Sequence, residues 1–287
     1  MTTAAEARST VSLSAGSISY TETGSGPPMV FVHGALVDGT LWSPAIPHLA
    51  DRYRCIVPDM PLGSHRTAMV PDADLSPPGL ARIVSDFLAE LDLEDVVLVG
   101  NDTGGAICQL VAVNHPERLG RLVLTPCDAF ENFLPPAFRY LQVAARVPGA
   151  ITLLMQSMRP RAMRRAPIAY GWLTKKRIPN ETLDRWVEPA MHDAGVRRDT
   201  VKVLRGISKR YTLEAAERLR DFDRPTLLAW APEDRFFKLK FAKRLASVFP
   251  DARLELIEDA RTFVSIDQPE RLAELISEFA GAPAPSR

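Results

Sequence analysis

The strongest constraint on this chain is a set of short, unbroken apolar runs. They are "MVFVHG" (Met29–Gly34), "CIVPD" (Cys55–Asp59), "VVLVG" (Val96–Gly100), "RLVLT" (Arg121–Thr125), "TLLAW" (Thr226–Trp230) and "LELIE" (Leu254–Glu258). Runs of four to six residues without polar alternation fit strands covered on both faces. Helical spacing separates them. Pro78–Leu91 places Leu80, Ile83, Val84, Phe87, Leu88 and Leu91 on one face, and Gly104–Asn114, Lys240–Val248 and Pro269–Phe279 carry similar patterns. Strands alternating with helices over short links predict an α/β fold with a mostly parallel, doubly wound sheet. Two further strands are expected near Thr10–Ser14 and Ile18–Glu22, ahead of a turn at "GSGPP".

Between Ala129 and about Leu219 no clear strand pattern appears, only helical ones. The expected organisation is therefore a core of residues 1–128 and 220–287 with a helical insertion over 129–219. The basic stretch "MRPRAMRRAP" (Met158–Pro167) in this insertion reads as a solvated helix face.

Composition narrows the function classes. Of 287 residues 46% are hydrophobic and 24% charged, enough apolar matter for a large core. Lys plus Arg number 35, as do Asp plus Glu, so no net field points to nucleic acid or to an anionic membrane. Cys55, Cys108 and Cys127 are scattered, unlike a disulfide or metal framework, and read as buried thiols. No run of about 18 apolar residues is present to span a membrane. The polar start "MTTAAEARSTVSL" lacks the apolar region of a secretory signal, and "GAPAPSR" reads as a frayed tail. The expectation is a cytoplasmic monomer or homodimer that needs no metal or organic cofactor.

One motif carries chemistry. Gly100-Asn101-Asp102-Thr103-Gly104 has the form G-x-nucleophile-x-G, with an apolar run before it and a helical pattern after it. A sharp strand-to-helix turn forces its central residue into a strained conformation and admits only small neighbours. The competing reading is a helix N-cap, which also favours Asp.

On these residues the chain resembles the α/β-hydrolase superfamily, over nearly its whole length. "VFVHGALVDGTLW" is similar to that family's turn after its third strand. The resemblance implies an oxyanion hole from the Ala35 and Thr103 amides, with His33 a structural turn residue. "WAPEDRFF" resembles the loop that supplies the acid, which falls on Asp234. Asp128, in "LTPCDAF", holds a second position where members of the family keep it. The helical insertion would be the family's cap. An Asp at the elbow resembles the haloalkane dehalogenase and epoxide hydrolase branch, where the carboxylate attacks saturated carbon and water then splits the enzyme ester.

That second step ordinarily needs a histidine base. Aligning Ile257, Ala260, Phe263 and Pro269 of "IEDARTFVSIDQPE" with the family's last signature puts Thr262 at the histidine, and no histidine follows His192. The HGAL turn lacks the proline of epoxide hydrolases, and Thr103 stands where haloalkane dehalogenases keep a halide-binding Trp. His65, in "PLGSHRT", is the replacement base this reading expects, because its loop leaves the same sheet edge as Asp102. His192 is a weaker candidate, and Tyr140, Tyr170 and Tyr211 are candidate cap tyrosines. The expected activity is hydrolysis of a small apolar substrate. The alternatives are a lyase or isomerase using Asp102 for proton transfer, and a ligand-binding protein that has lost turnover.

Overall fold

A computed structural model describes residues 8–281. The expectations for the N-terminal leader and the C-terminal tail fall largely outside them. Eight strands form one sheet: β1 (Arg8–Leu13), β2 (Gly16–Thr23), β3 (Pro28–Val32), β4 (Arg54–Pro58), β5 (Val96–Asp102), β6 (Leu119–Cys127), β7 (Thr226–Trp230) and β8 (Ala252–Leu256). Their spatial order is β1-β2-β4-β3-β5-β6-β7-β8. The β1–β2 and β2–β4 pairs are antiparallel, and every later pair is parallel. This is the fold class expected from the alternation of runs.

The central strands are covered on both faces. Val96–Gly100 and all of β7 are buried. The "LELIE" run departs from the expectation. β8 closes the sheet's edge, and its residues are only half-buried or exposed. An edge strand has one neighbour and need not be apolar on both faces.

Helix α1 (Pro77–Glu90) starts where Ser76 Oγ accepts from the Gly79 amide at 3.4 Å, with proline opening the first turn. Its apolar stripe, Leu80, Ile83, Val84, Phe87 and Leu88, is buried. Helix α2 (Thr103–Asn114) packs against α1, β5 and β6. It is buried almost all round, which is why its sequence lacks a polar stripe.

Between β6 and β7 the chain forms α3 (Arg139–Arg146), α4 (Ala150–Ser157), α5 (Arg161–Arg164), α6 (Asn180–His192), α7 (Ala194–Gly206) and α8 (Lys209–Arg218). After β7 come α9 (Leu239–Val248), α10 (Val264–Asp267) and α11 (Pro269–Gly281). The basic stretch is not simply a solvated face. Arg164 is buried and, with Arg161, is ion-paired to Asp184 on α6.

Buried polar bonds bind the inserted helices to the sheet. Arg185 Nε donates to Asp38 Oδ2 (2.5 Å), and Trp186 Nε1 to Asp38 Oδ1 (3.1 Å). Asp267 accepts from Thr174 Oγ1 (2.5 Å) and from the Lys175 and Lys176 amides. All three cysteines are buried and unpaired, and burial pushes the Cys55 thiol up to about 12. Among the described residues no helix is long and apolar enough to cross a membrane.

Candidate active site

Asp102 is the last residue of β5, and α2 begins at the next residue. Its φ of 54° and ψ of −131° lie in a region that non-glycine residues rarely occupy. Its side chain makes no capping hydrogen bond, so the N-cap reading does not describe it. Close packing explains the small neighbours. A Cβ on Gly104 would lie 2.3 Å from the His33 carbonyl oxygen, because α2 starts directly against β3. A Cβ on Gly34 would lie 2.3 Å from Asp102 Oδ2, so the turn after β3 and the carboxylate occupy the same space. Ala35, in that turn, is half-buried, and Thr103 is buried.

Two more carboxylates come to the same sheet edge. β6 runs two residues past the expected apolar run, and Cys127 pairs with Asp102. The Asp128 amide then donates to the Asp102 carbonyl at 3.3 Å. Asp128 is fully buried. Thr103 Oγ1 donates to its Oδ2 at 3.4 Å, and its Oδ1 has no partner. Asp234, in the loop after β7, is satisfied on both oxygens. The Phe236 and Phe237 amides donate to Oδ1 (2.6 and 2.7 Å), and Thr262 Oγ1 donates to Oδ2 (2.8 Å).

Thr262 thus stands beside the acid, where the sequence alignment put the missing histidine. Asn101, which the sequence reading passed over, holds it there. Its amide nitrogen reaches Thr125 Oγ1 (2.8 Å), Pro126 O (3.0 Å) and Thr262 O (2.7 Å), tying β5 to β6 and to the loop before α10. The only signal in the sequence was its place inside the elbow motif.

Burial raises all three carboxyls. Asp102 is pushed up to about 7, by burial first and by the nearby Asp234 charge, against the pull of the Thr103 amide. Asp128 is pushed well above the carboxylate range by burial and then by the charge of Asp102. Asp234 is raised by burial, although its amide and Thr262 bonds oppose this. Among the described residues no group of three or more His, Cys, Asp and Glu is arranged to hold a metal ion.

His65 is not brought to this cluster. It is buried, but its Nδ1 accepts from the Gly63 amide (3.3 Å) and its Nε2 faces Asp199 Oδ2 on α7 at 3.3 Å. With both ring nitrogens engaged, the imidazole has no lone pair free for a water beside Asp102. The His65 ring thus links the loop after β4 to α7. Asp199, invisible to local sequence reading, also accepts from the Met69 amide at 2.7 Å.

The other histidines are elsewhere. His33 donates from Nδ1 to Gly34 O and accepts at Nε2 from the Met60 amide, both at 2.8 Å, and burial lowers its pKa. It braces the turn as a neutral ring. His48 and His192 are exposed, and His115 ends α2 at the far end from the elbow. Among the tyrosines, Tyr170 reaches the site's edge, donating its hydroxyl to Leu36 O at 2.5 Å. Tyr140 donates to Ile168 O, and Tyr211 accepts from Arg210.

The sequence profile of the alpha/beta hydrolase fold matches residues 27–269, most of the chain. The protein belongs to the alpha/beta hydrolase fold family. It is 29% identical over 285 residues to haloalkane dehalogenase 2 of Mycobacterium tuberculosis, covering 93% of each protein. The structure of an alpha/beta hydrolase fold protein from Burkholderia ambifaria superposes with a TM-score of 0.79 at 21% identity, covering 94% of this chain and 97% of that one. The epoxide hydrolase CorEH, solved without ligand, also superposes at 0.79, with 17% identity and coverage of 95% and 98%. These two likenesses concern the fold.

Proposed function

We propose that this α/β-hydrolase-fold protein is a hydrolase of small, largely apolar substrates in which Asp102 forms an ester with an electrophilic carbon. The observation that carries the reading is the strained elbow. It holds a carboxylate against the Gly34 turn, with the Thr103 amide beside it and a partnerless oxygen of buried Asp128 behind it. One Asp102 oxygen attacks the carbon, whose bond to a halide or epoxide oxygen breaks and leaves its electron pair on that atom. In this reading the Ala35 and Thr103 amides hold the charge that develops later, on the Asp102 carbonyl oxygen, when water attacks the ester. The helices between β6 and β7 act as the cap over this edge.

The second step falls to Asp128 rather than to His65. Before reaction the Asp102 charge helps keep Asp128 protonated. Esterification removes that charge and lowers the Asp128 pKa against the burial that still raises it. Asp128 gives its proton to the opened epoxide's alkoxide or, after halide loss, to solvent, and its carboxylate then takes a proton from the water that attacks the ester carbonyl. The bond from that carbonyl to the alkyl oxygen breaks, and the departing alkoxide takes the proton from Asp128 and leaves as the alcohol. Asp102 returns as a carboxylate, and Asp128 regains its proton from solvent. Kinship with haloalkane dehalogenase 2 supports carbon–halogen substrates as the first to try.

The test is intact-protein mass spectrometry after incubation with bromoalkanes and terminal epoxides. Wild type should show a transient adduct on the peptide holding Asp102. Asp128→Asn should accumulate it, and Asp102→Asn should show none. Absence of an adduct from both wild type and Asp128→Asn overturns the reading.

A second reading is favoured by the Asp102 carboxyl sitting near 7 with no imidazole beside it. A group of that pKa moves protons well at neutral pH without becoming an ester. It predicts substrate isomerisation or elimination that Asp102→Asn abolishes, with no adduct in any variant.

A further inference from the structure

A groove of about 810 Å³ opens on the outer side of the loops that carry Asp128 and Asp234. That volume suits a small molecule. Its two walls grow directly out of the site. One begins at Glu131, three residues after Asp128, and the other at Arg235, the residue after Asp234. Asn132 Nδ2 donates to Phe236 O at 3.3 Å, and the Phe138 and Phe236 rings lie 4.7 Å apart, so the walls are fastened to each other.

The groove is strongly cationic in a chain whose charges sum to zero. Arg139, Arg146, Lys209, Arg235, Lys238 and Lys240 line it, and all six are exposed. Glu131 is the one acid among the lining residues, and it is ion-paired to Arg244. Arg139 and Arg146 stand seven residues apart on α3, hence on one face. Between them Gln142 donates to Leu204 O (3.3 Å) and Ile207 O (2.8 Å), fixing that face toward the groove's far wall. Some of this charge is used within the fold: Lys238 Nζ donates to Asp234 O at 3.2 Å, and Arg235 and Lys240 lie over the Trp172 and Phe241 rings. Lys209 opens α8, and Lys238 and Lys240 flank the first residue of α9, at helix starts where the dipole disfavours cations. Phe133, Leu134, Ile207 and Phe241 give the groove a buried apolar floor.

Cations around an apolar floor recognise an anionic group on an apolar body. We propose that this groove binds an amphiphilic ligand, an alkyl carboxylate or phosphate ester, with its anionic end among these cations and its alkyl body on the apolar floor. A role for that ligand as substrate would rest on the Asp102 reading above; the binding site itself does not.

The experiment is calorimetric titration of the full chain with octanoate and with octanol, which differ in charge but not in chain length. Octanoate should bind at least about tenfold more tightly, and 0.5 M salt should erase most of that preference. The double variant Arg139→Glu/Lys209→Glu should lose about tenfold in octanoate affinity while octanol is unchanged. Arg235→Gln/Lys240→Gln, on the opposite wall, should lose affinity in the same sense, and circular dichroism checks that both fold.

Equal affinity for the two ligands, or a preference that survives both double variants, overturns the proposal. So does inorganic phosphate competing as well as octanoate, since charge alone would then suffice. Flotation with phosphatidylglycerol vesicles in the absence of octanoate binding also overturns it, in favour of a lipid surface. Repeating the titration with Asp102→Asn separates the two readings. Binding that persists there, in a protein whose wild type forms no adduct, retains the groove and removes only the chemistry.

Discussion

The pH dependence of adduct formation tests the site most sharply. Only the ionised carboxylate attacks carbon. With its carboxyl at about 7, Asp102 is about one-eleventh ionised at pH 6 and about ten-elevenths at pH 8. The rate of adduct formation should therefore rise about tenfold from pH 6 to pH 8 and then level. An aspartate of ordinary pKa, near 3.9, is already ionised at pH 6 and would give a flat profile over that range. Asp234→Asn keeps the shape and lets Oδ1 still accept the Phe236 and Phe237 amides, but it removes a charge that raises Asp102. The midpoint should move to lower pH in that variant. The assay is quenched-flow mass spectrometry of the Asp102 peptide under saturating substrate, with Asp128→Asn present to hold the ester. A flat profile refutes the shielded-carboxylate argument. A rate that falls as pH rises means that the protonated form reacts, and it favours proton transfer instead.

Four further outcomes follow from the same geometry. A carboxyl raised in the folded state contributes stability below its unfolded pKa and loses it as pH rises through about 7, so Asp102→Asn should raise Tm at pH 8 and leave it unchanged near pH 3, with a ceiling of about 4 kcal/mol for a shift of roughly three units. Gly34→Ala puts a methyl 2.3 Å from Asp102 Oδ2 and should cost about 1–3 kcal/mol in denaturant melts while abolishing adduct formation. His65→Gln should lower stability by about 1–3 kcal/mol through Asp199 yet leave adduct turnover within twofold; a large loss of turnover at unchanged stability would restore His65 as the base. Thr262→His places an imidazole beside Asp234 Oδ2 and should speed release of the ester in multiple-turnover assays, provided near-UV circular dichroism shows an intact core.

The fold was legible because its central strands are buried on both faces, which writes them as apolar runs. Met29–Gly34, Val96–Gly100 and Thr226–Trp230 coincide with β3, β5 and β7 to within two residues at each end. β8 misled because an edge strand obeys a weaker rule. The elbow was legible because its glycines answer to close packing that local sequence records. The fate of His65 was not. Its partner Asp199 lies 134 residues away on an inserted helix, and no local pattern announces a bond that only tertiary packing creates. Asn101 was missed for the same reason, since its three contacts belong to two other segments. Thr262 was found by counting from Ile257 and Phe263, but its bond to Asp234 is a fact of geometry.

The insertion leaves the sheet after β6 and returns at β7, which are neighbouring parallel strands. Because Thr226 pairs with Leu122 while β6 runs on to Cys127, the segment starts at one edge of the sheet and returns at the other, and to the core it is one long crossover connection. Loop closure grows only slowly more costly with length, so this segment can drift, lengthen or be exchanged over evolutionary time while the elbow stays in place. What resists exchange is the set of core groups now committed to it. Asp38, His65 and Asp267 would each lose a buried partner if the helices were replaced wholesale. New specificities are thus expected to arise by substitution within the existing helices, with the three core residues retained as the record of an insertion that has become part of the protein.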